Sequence, residues 1–310
     1  MSRANVARLA ALAGIWGASF LLIKLGLDGL SPAQIVLGRL VLAAGVLLVV
    51  VAVRRQPLPR TPAVWGHVTL MGLVANIVPF YLFAWGEQRI SSGMAGVLNG
   101  TTPLFTLLVA MAALSDERWS VMRVAGLLLG FVGVVLVVAP WNDSGANALP
   151  GQLACLGAGA CYGVSFVYTR RFLTNRGLPA LALSAAQLSM AAVLLLLAAP
   201  VVAATPVTLS PSVVGSIVAL GAVGTGFAYL LYYRLIAEAG AMSASMVTYL
   251  IPVVSVILGV LVLSEPLGWN VFAGAGIVIV GVAVAEGRLG SGPAAGASAV
   301  PAAAEAGSRR

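Results

Sequence analysis

Charged residues are confined to short intervals along this chain, and between them run apolar stretches of nearly constant length. These stretches fall at about residues 7–27, 32–53, 65–86, 93–113, 121–139, 150–170, 180–203, 212–233, 241–263 and 269–286. Each is near the ~20 residues that a hydrocarbon core ~30 Å thick demands of a helix. The short alternating segments of a membrane barrel are absent, and backbone inside a bilayer must satisfy its own hydrogen bonds. The pattern therefore predicts an all-α integral membrane protein with ten transmembrane helices.

Composition sharpens this picture. Hydrophobic residues make up 60% of the chain and charged residues 8%, against about 45–50% and about 25% in soluble domains. The formal charge of +8 does not point to nucleic acid, because the basic residues follow membrane topology. Arginines at 3, 8, 54, 55, 60, 118, 123, 170, 171, 176, 234, 288, 309 and 310 fall at alternate connections, whereas the other side keeps Lys24 and Arg89. That bias predicts cytoplasmic termini. The opening arginines before an apolar run imitate a signal peptide, but a polytopic chain follows, so this segment reads as the first helix. Cys155 and Cys161 lie on different faces of segment six and suggest neither a disulfide nor a metal site.

A repeat organises the ten segments. WGASF at 16–20 returns as YGVSF at 162–166, and GVLNGTTPLFT in segment four aligns with SMVTYLIPVVS in segment nine. Gly96, Asn99, Pro103 and Thr106 then match Ser245, Thr248, Pro252 and Ser255, and beyond them Glu117, Gly126 and Gly133 match Glu265, Gly274 and Gly281. Five crossings separate the copies, an odd number, so the second copy is expected upside down, as in transporters built from inverted repeats. The expected division is 5–140 and 150–286 for two inverted five-helix repeats and 287–310 for a disordered cytoplasmic tail.

The WGASF start, an arginine inside helix two, a proline inside helix four, and SDERWSVMRVAGLLLGFVGVVLV answered by LSEPLGWNVFAGAGIVIVGVAV resemble the EamA family of the drug/metabolite transporter superfamily. The resemblance spans roughly residues 5–286. It implies a carrier of small metabolites, commonly a bacterial exporter of amino acids or related compounds, working by alternating access.

Candidate site residues follow from the helix interiors. A proline removes the hydrogen bond to the carbonyl four residues earlier, so Pro103 frees Asn99 and Pro252 frees Thr248. At i, i+3, i+7, i+10 spacing each quartet occupies one helix face. That face lines either a polar cavity or a small-residue packing seam. Pro79 acts likewise on Ala75 beside Asn76, where segment eight offers only Gly224, Thr225 and Gly226 instead of a proline. Trp16 and Phe20, with Tyr162 and Phe166, form equivalent i, i+4 aromatic pairs that wall a pocket or fill core. Ser19 and Thr102 add hydroxyls to the candidate substrate site. Arg39, inside helix two, requires water or an anionic partner. It binds either freed carbonyls and headgroups or a substrate carboxylate or phosphate, for which its fork is suited. Gln187 stands at the matching place in the second half.

The nine acidic residues fall at helix ends, in loops or in the tail, leaving no carboxylate near mid-membrane for proton exchange, and His67 sits at a helix border. No nucleophile–base or metal constellation can be assembled at depth, and no phosphate loop of the GxxxxGK[ST] type occurs. The expectation is a non-enzyme without cofactors, whose partners are a small-molecule substrate, the lipid bilayer and, as an open case, a second copy in a homodimer, with no nucleic acid. Export of amino acids or related carboxylated compounds is the first reading. The alternative is multidrug or toxicant efflux, or exchange of nucleotide-type metabolites. One lysine against sixteen arginines suggests a GC-rich bacterial genome, hence a bacterial plasma membrane.

Overall fold

The computed structural model describes residues 1–114, 120–139, 148–174 and 176–287. Glu117 of the repeat, Asp143 and the tail beyond residue 287, expected to be disordered, lie outside the described residues. All regular structure among the described residues is helical. Among the described residues, eight helices are long and apolar enough to cross a membrane: α1 Arg3–Gly26, α2 Pro32–Val53, α3 Pro62–Glu87, α4 Ser92–Ala113, α5 Val121–Val138, α7 Ala180–Val202, α8 Pro211–Ala239 and α9 Ser243–Leu263. Between them lies α6, Ala148–Phe172, whose glycines and polar residues dilute its hydropathy, and at the end α10, Trp269–Ala285, is shorter.

Local chemistry sets the helix ends. Ser2, Ser31, Ser91, Ser120 and Ser210 each accept a hydrogen bond from a first-turn N–H, and at Ser31 the Gln34 side chain answers the cap backbone. Gly240, at φ 84°, turns the chain from α8 toward α9 in a conformation that side chains disfavour.

Contacts between helix ends show which ends lie together. The end of α1 meets the end of α3 where Lys24 Nζ donates to the carbonyls of Glu87 (2.5 Å) and Ile90 (2.9 Å). There, too, the Glu265 carboxylate, just past α9, accepts from the N–H groups of Ser92 (2.7 Å) and Gly93 (3.1 Å) at the start of α4. At the opposite end, Arg8 of α1 pairs with Glu238 of α8. Near it, His67 Nδ1 of α3 and Tyr168 Oη of α6 are 2.6 Å apart, Arg176 Nη2 is 3.2 Å from His67 Nε2, and Phe172 stacks on the imidazole. An arginine can only donate, so Nε2 accepts and Nδ1–H donates to the tyrosine.

Small residues let the helices approach. Across the α5–α10 seam, a Cβ on Gly133 would lie 2.7 Å from the Val278 nitrogen and 2.9 Å from the Gly274 carbonyl oxygen. In return, a Cβ on Gly274 would lie 2.7 Å from the Gly133 carbonyl oxygen. The glycines of the repeat meet crosswise, Gly133 with Gly274 and Gly126 with Gly281, each opposite a residue other than the one it aligns with. On α4, Gly96 abuts Ser255 and Gly100 abuts Pro252 of α9, so this face of the proline-bearing helix is closely packed.

Four helices depart from regular geometry, among them α9, whose α-helical hydrogen bonding is interrupted at Met246. In α3 the run Leu73–Ile77 is π-helical, closed by the Val78 N–H on the Leu73 carbonyl. Pro79 two residues later has no N–H for the Ala75 carbonyl, and the wider turn absorbs that loss. In α8 a π-helical run, Ala219–Phe227, occurs without any proline. The two runs begin at positions 73 and 219, separated by the interval that relates WGASF to YGVSF. The sequence had offered no counterpart to the Pro79 break, yet the glycines of α8 accommodate one. The third departure is in α4, whose α-helical hydrogen bonding is interrupted at Gly100 and Thr101, immediately before Thr102 and Pro103.

Candidate functional site

The two π-helical runs bring polar groups together around Arg39, the eighth residue of α2. Its side chain is buried, with 9% residual exposure. The guanidinium carbon lies 3.6 Å from the centre of the Phe80 ring of α3, a cation–π contact. Nε donates to Thr225 Oγ1 of α8 at 2.8 Å, and that hydroxyl donates to the Leu220 carbonyl five residues back, within the π run. The wide turn thereby aims a hydroxyl at the arginine. Among the described residues, Nη1 and Nη2 have no protein acceptor, and neither belongs to the fully enclosed unpartnered atoms. The two-pronged end of the cation is therefore still unused.

On α3, Asn76 lies within the other π run, fully buried, and its Oδ1 accepts from Gln187 Nε2 of α7 at 2.6 Å. The Asn76 amide nitrogen is enclosed, with the Tyr229 side chain within hydrogen-bonding reach of Asn76. Tyrosines complete the surroundings. Tyr162 of α6 and Tyr229 of α8 lie within electrostatic reach of Arg39, and both border, with Tyr233, the apolar cluster between α2 and α7. Tyr233 shares a hydrogen bond with Ser184 of α7. Trp16 of α1 packs on Tyr232, with ring centres 5.4 Å apart. Trp16, Tyr162, Tyr229, Tyr232, Tyr233 and Gln187 are all half-buried.

The sequence-derived candidates divide between two places. Arg39, Asn76, Trp16 and Tyr162 belong to this cluster. Ser19 borders it, its hydroxyl donating to the Ile15 carbonyl and lying 3.4 Å from where Gly224 of α8 would carry a Cβ. The others lie on the packed faces of α4 and α9. Pro252 is buried against Gly100, Thr102 stands beside Gly159 of α6 with its hydroxyl unpartnered, and the Thr248 hydroxyl donates to the Ser245 carbonyl. Asn99 and Pro103 are half-buried at the joint in α4. In the aromatic pairs, Phe20 packs on Phe83, whereas Phe166 is 55% exposed on the bundle's outside. The sequence reading missed Phe80, Tyr229, Tyr232, Tyr233 and Ser184. The run AYLLYYR, with three tyrosines on an otherwise apolar helix, was the available signal.

Thr225→Val removes the acceptor for Arg39 at unchanged volume. We expect it to lower stability by about 1–3 kcal/mol, the cost of an orphaned buried donor, with Thr225→Ser recovering most of the loss. Thermal unfolding of the detergent-solubilised protein measures both.

Apolar helices of spanning length around a buried cation and aromatic side chains define a membrane protein with a polar interior cluster. The EamA-like transporter family model matches residues 6–139 and again residues 149–286. The chain belongs to the EamA-like transporter family, within the drug/metabolite transporter superfamily. It is 29% identical over 280 residues to an uncharacterized transporter of Archaeoglobus fulgidus, covering 88% of this chain and 95% of that one. Similar likenesses link it to the Bacillus subtilis transporter YoaV, at 25% with 86% and 91% covered. To the Escherichia coli inner membrane transporter YedA it is 27% identical, with 88% of each covered. A solved crystal structure superimposes with a TM-score of 0.65 over 92% of this chain and 98% of its own, at 22% identity, and so shares the fold.

Proposed function

We propose that this protein is a secondary carrier that exports small carboxylated metabolites, amino acids or close derivatives, by alternating access through the Arg39 chamber. The observation that carries this reading is the unused fork of Arg39, buried without a bonded carboxylate between Phe80 and the half-buried tyrosines. A guanidinium fork matches a carboxylate with two parallel hydrogen bonds. The tyrosine hydroxyls can accept from an ammonium, the Asn76 amide N–H can donate to an oxygen, and the rings suit an apolar side chain. A saturable counterflow of labelled substrate in proteoliposomes supports a carrier; unsaturable conduction sinks it in favour of a pore.

We further propose ten crossings in two inverted five-helix repeats, with both termini in the cytoplasm of a bacterial plasma membrane. The paired family-model matches, the paired π-helical runs and the reciprocal glycines of α5 and α10 support the duplication. Arg3, Arg8, Arg54, Arg55, Arg60, Arg123, Arg170, Arg171, Arg176 and Arg234 at one end of the bundle, against Lys24 and Arg89 at the other, support the orientation. A reporter active only outside the cytoplasm is expected to be silent when fused after Arg310 and active when fused at Asp143 or Thr205. Activity after Arg310 would overturn the orientation.

A further inference from the structure

Glu87, the last residue of α3, fulfils the expectation that acids sit at helix ends, but it is not solvated there. Its exposure is 0%, and neither carboxyl oxygen has a hydrogen-bond partner among the described residues. The groups that face it are few. From α1, Lys24 spends two hydrogen bonds on the carbonyls of Glu87 and Ile90. Arg39 of α2, Cys155 of α6 and Glu265 beyond α9 lie within electrostatic reach. Glu265 is occupied in capping the start of α4, and Arg39 spends Nε on Thr225 and its face on Phe80. On its own turn, Arg89 lies over the Trp85 ring and donates to the Trp85 carbonyl.

An ionised carboxylate enclosed in this way forfeits its hydration with nothing bonded in exchange, whereas a carboxylic acid can be enclosed. The enclosure depends on contacts that an opening bundle would break. Lys24 ties α1 to the end of α3, and Glu265 ties the α9–α10 connection to the start of α4. We propose that Glu87 is a proton-binding site of this transporter, protonated while this end of the bundle is closed and losing its proton to water when it opens. The O–H bond breaks as the ends of α1, α3 and α4 separate; the proton passes to water, and the carboxylate gains hydration. Re-closure takes one proton back. Release and recapture occur on the same side, so no net proton crosses; in an alternating carrier the opening of this end becomes pH-dependent, a consequence that rests on the function proposed above.

Infrared difference spectra of the ligand-free protein in lipid, titrated with acid and base, test the site without any substrate. The expected result is a carboxylic-acid C=O band that titrates in the parent, vanishes in Glu87→Gln and returns at a shifted frequency in Glu87→Asp. A parent with no titrating acid band, or a band that survives Glu87→Gln, would overturn the proposal. A second arm tests the pH-dependent opening by counterflow of a labelled amino-acid mixture in proteoliposomes over a series of pH values. The parent's rate is expected to fall as the medium is acidified and that of Glu87→Gln to be insensitive to pH; equal pH dependence in both removes Glu87 from the opening step. If the parent moves no amino acid while the infrared band behaves as expected, the substrate assignment fails and the proton site stands.

Discussion

Arg39→Gln is expected to abolish transport of carboxylated substrates while leaving the protein folded. Glutamine can still donate to Thr225, but it brings no charge and no fork to the chamber. Losing one side of a buried charge pair costs about 2–5 kcal/mol, so substrate affinity should fall about thirtyfold at the low end. Arg39→Lys should fall between, because an ammonium keeps the charge but cannot bridge two carboxylate oxygens or lie flat on Phe80. If the arginine only braces the bundle, both variants lose thermal stability and neither selectively loses affinity.

The largest effect on folding is expected at the α5–α10 seam. Gly133→Leu places a side chain where even a Cβ would lie 2.7 Å from the Val278 nitrogen and 2.9 Å from the Gly274 oxygen. Both neighbours are backbone, so rotamer changes give no relief and the helices must part. Overpacking commonly costs about 1–3 kcal/mol and more where backbone must move. The seam also loses the close approach that holds membrane helices together without a hydrophobic driving force. We expect Gly133→Leu to collapse the monodisperse chromatographic peak and Gly133→Ala to lower the midpoint of thermal unfolding. Gly276→Ala, on α10 with open space around it, is the control, neutral or slightly stabilising by up to about 1 kcal/mol through helix propensity. Equal tolerance at Gly133 and Gly276 would contradict the packing described.

The helical elements were legible in the sequence because membrane burial writes them as uncharged runs of fixed length, and Arg39 stood out because charge at such depth is rare. The duplication was legible in WGASF and YGVSF and in the glycines of α5 and α10. The polar cluster around Arg39 was only half legible. A π-helical turn changes neither hydropathy nor length, so nothing in Ala219–Phe227 announced that Thr225 would face Arg39. Prolines did announce themselves and drew the reading toward α4 and α9. There the structure sets Pro252 against Gly100, while the polar cluster forms mainly among α2, α3, α7 and α8. Phe80 and the tyrosines of α8 read as ordinary apolar helix because their role depends on which helices meet them. Glu87 reads as a solvated helix end for a similar reason, since enclosure by α1, α4 and α6 is a property of the assembled bundle.

Counterflow of labelled amino acids in proteoliposomes, with the parent and Arg39→Gln side by side, tests the central claim most directly. The account predicts saturable counterflow of at least one carboxylated compound by the parent and none by the variant. A parent that ignores every carboxylated compound yet moves a quaternary ammonium dye would contradict it.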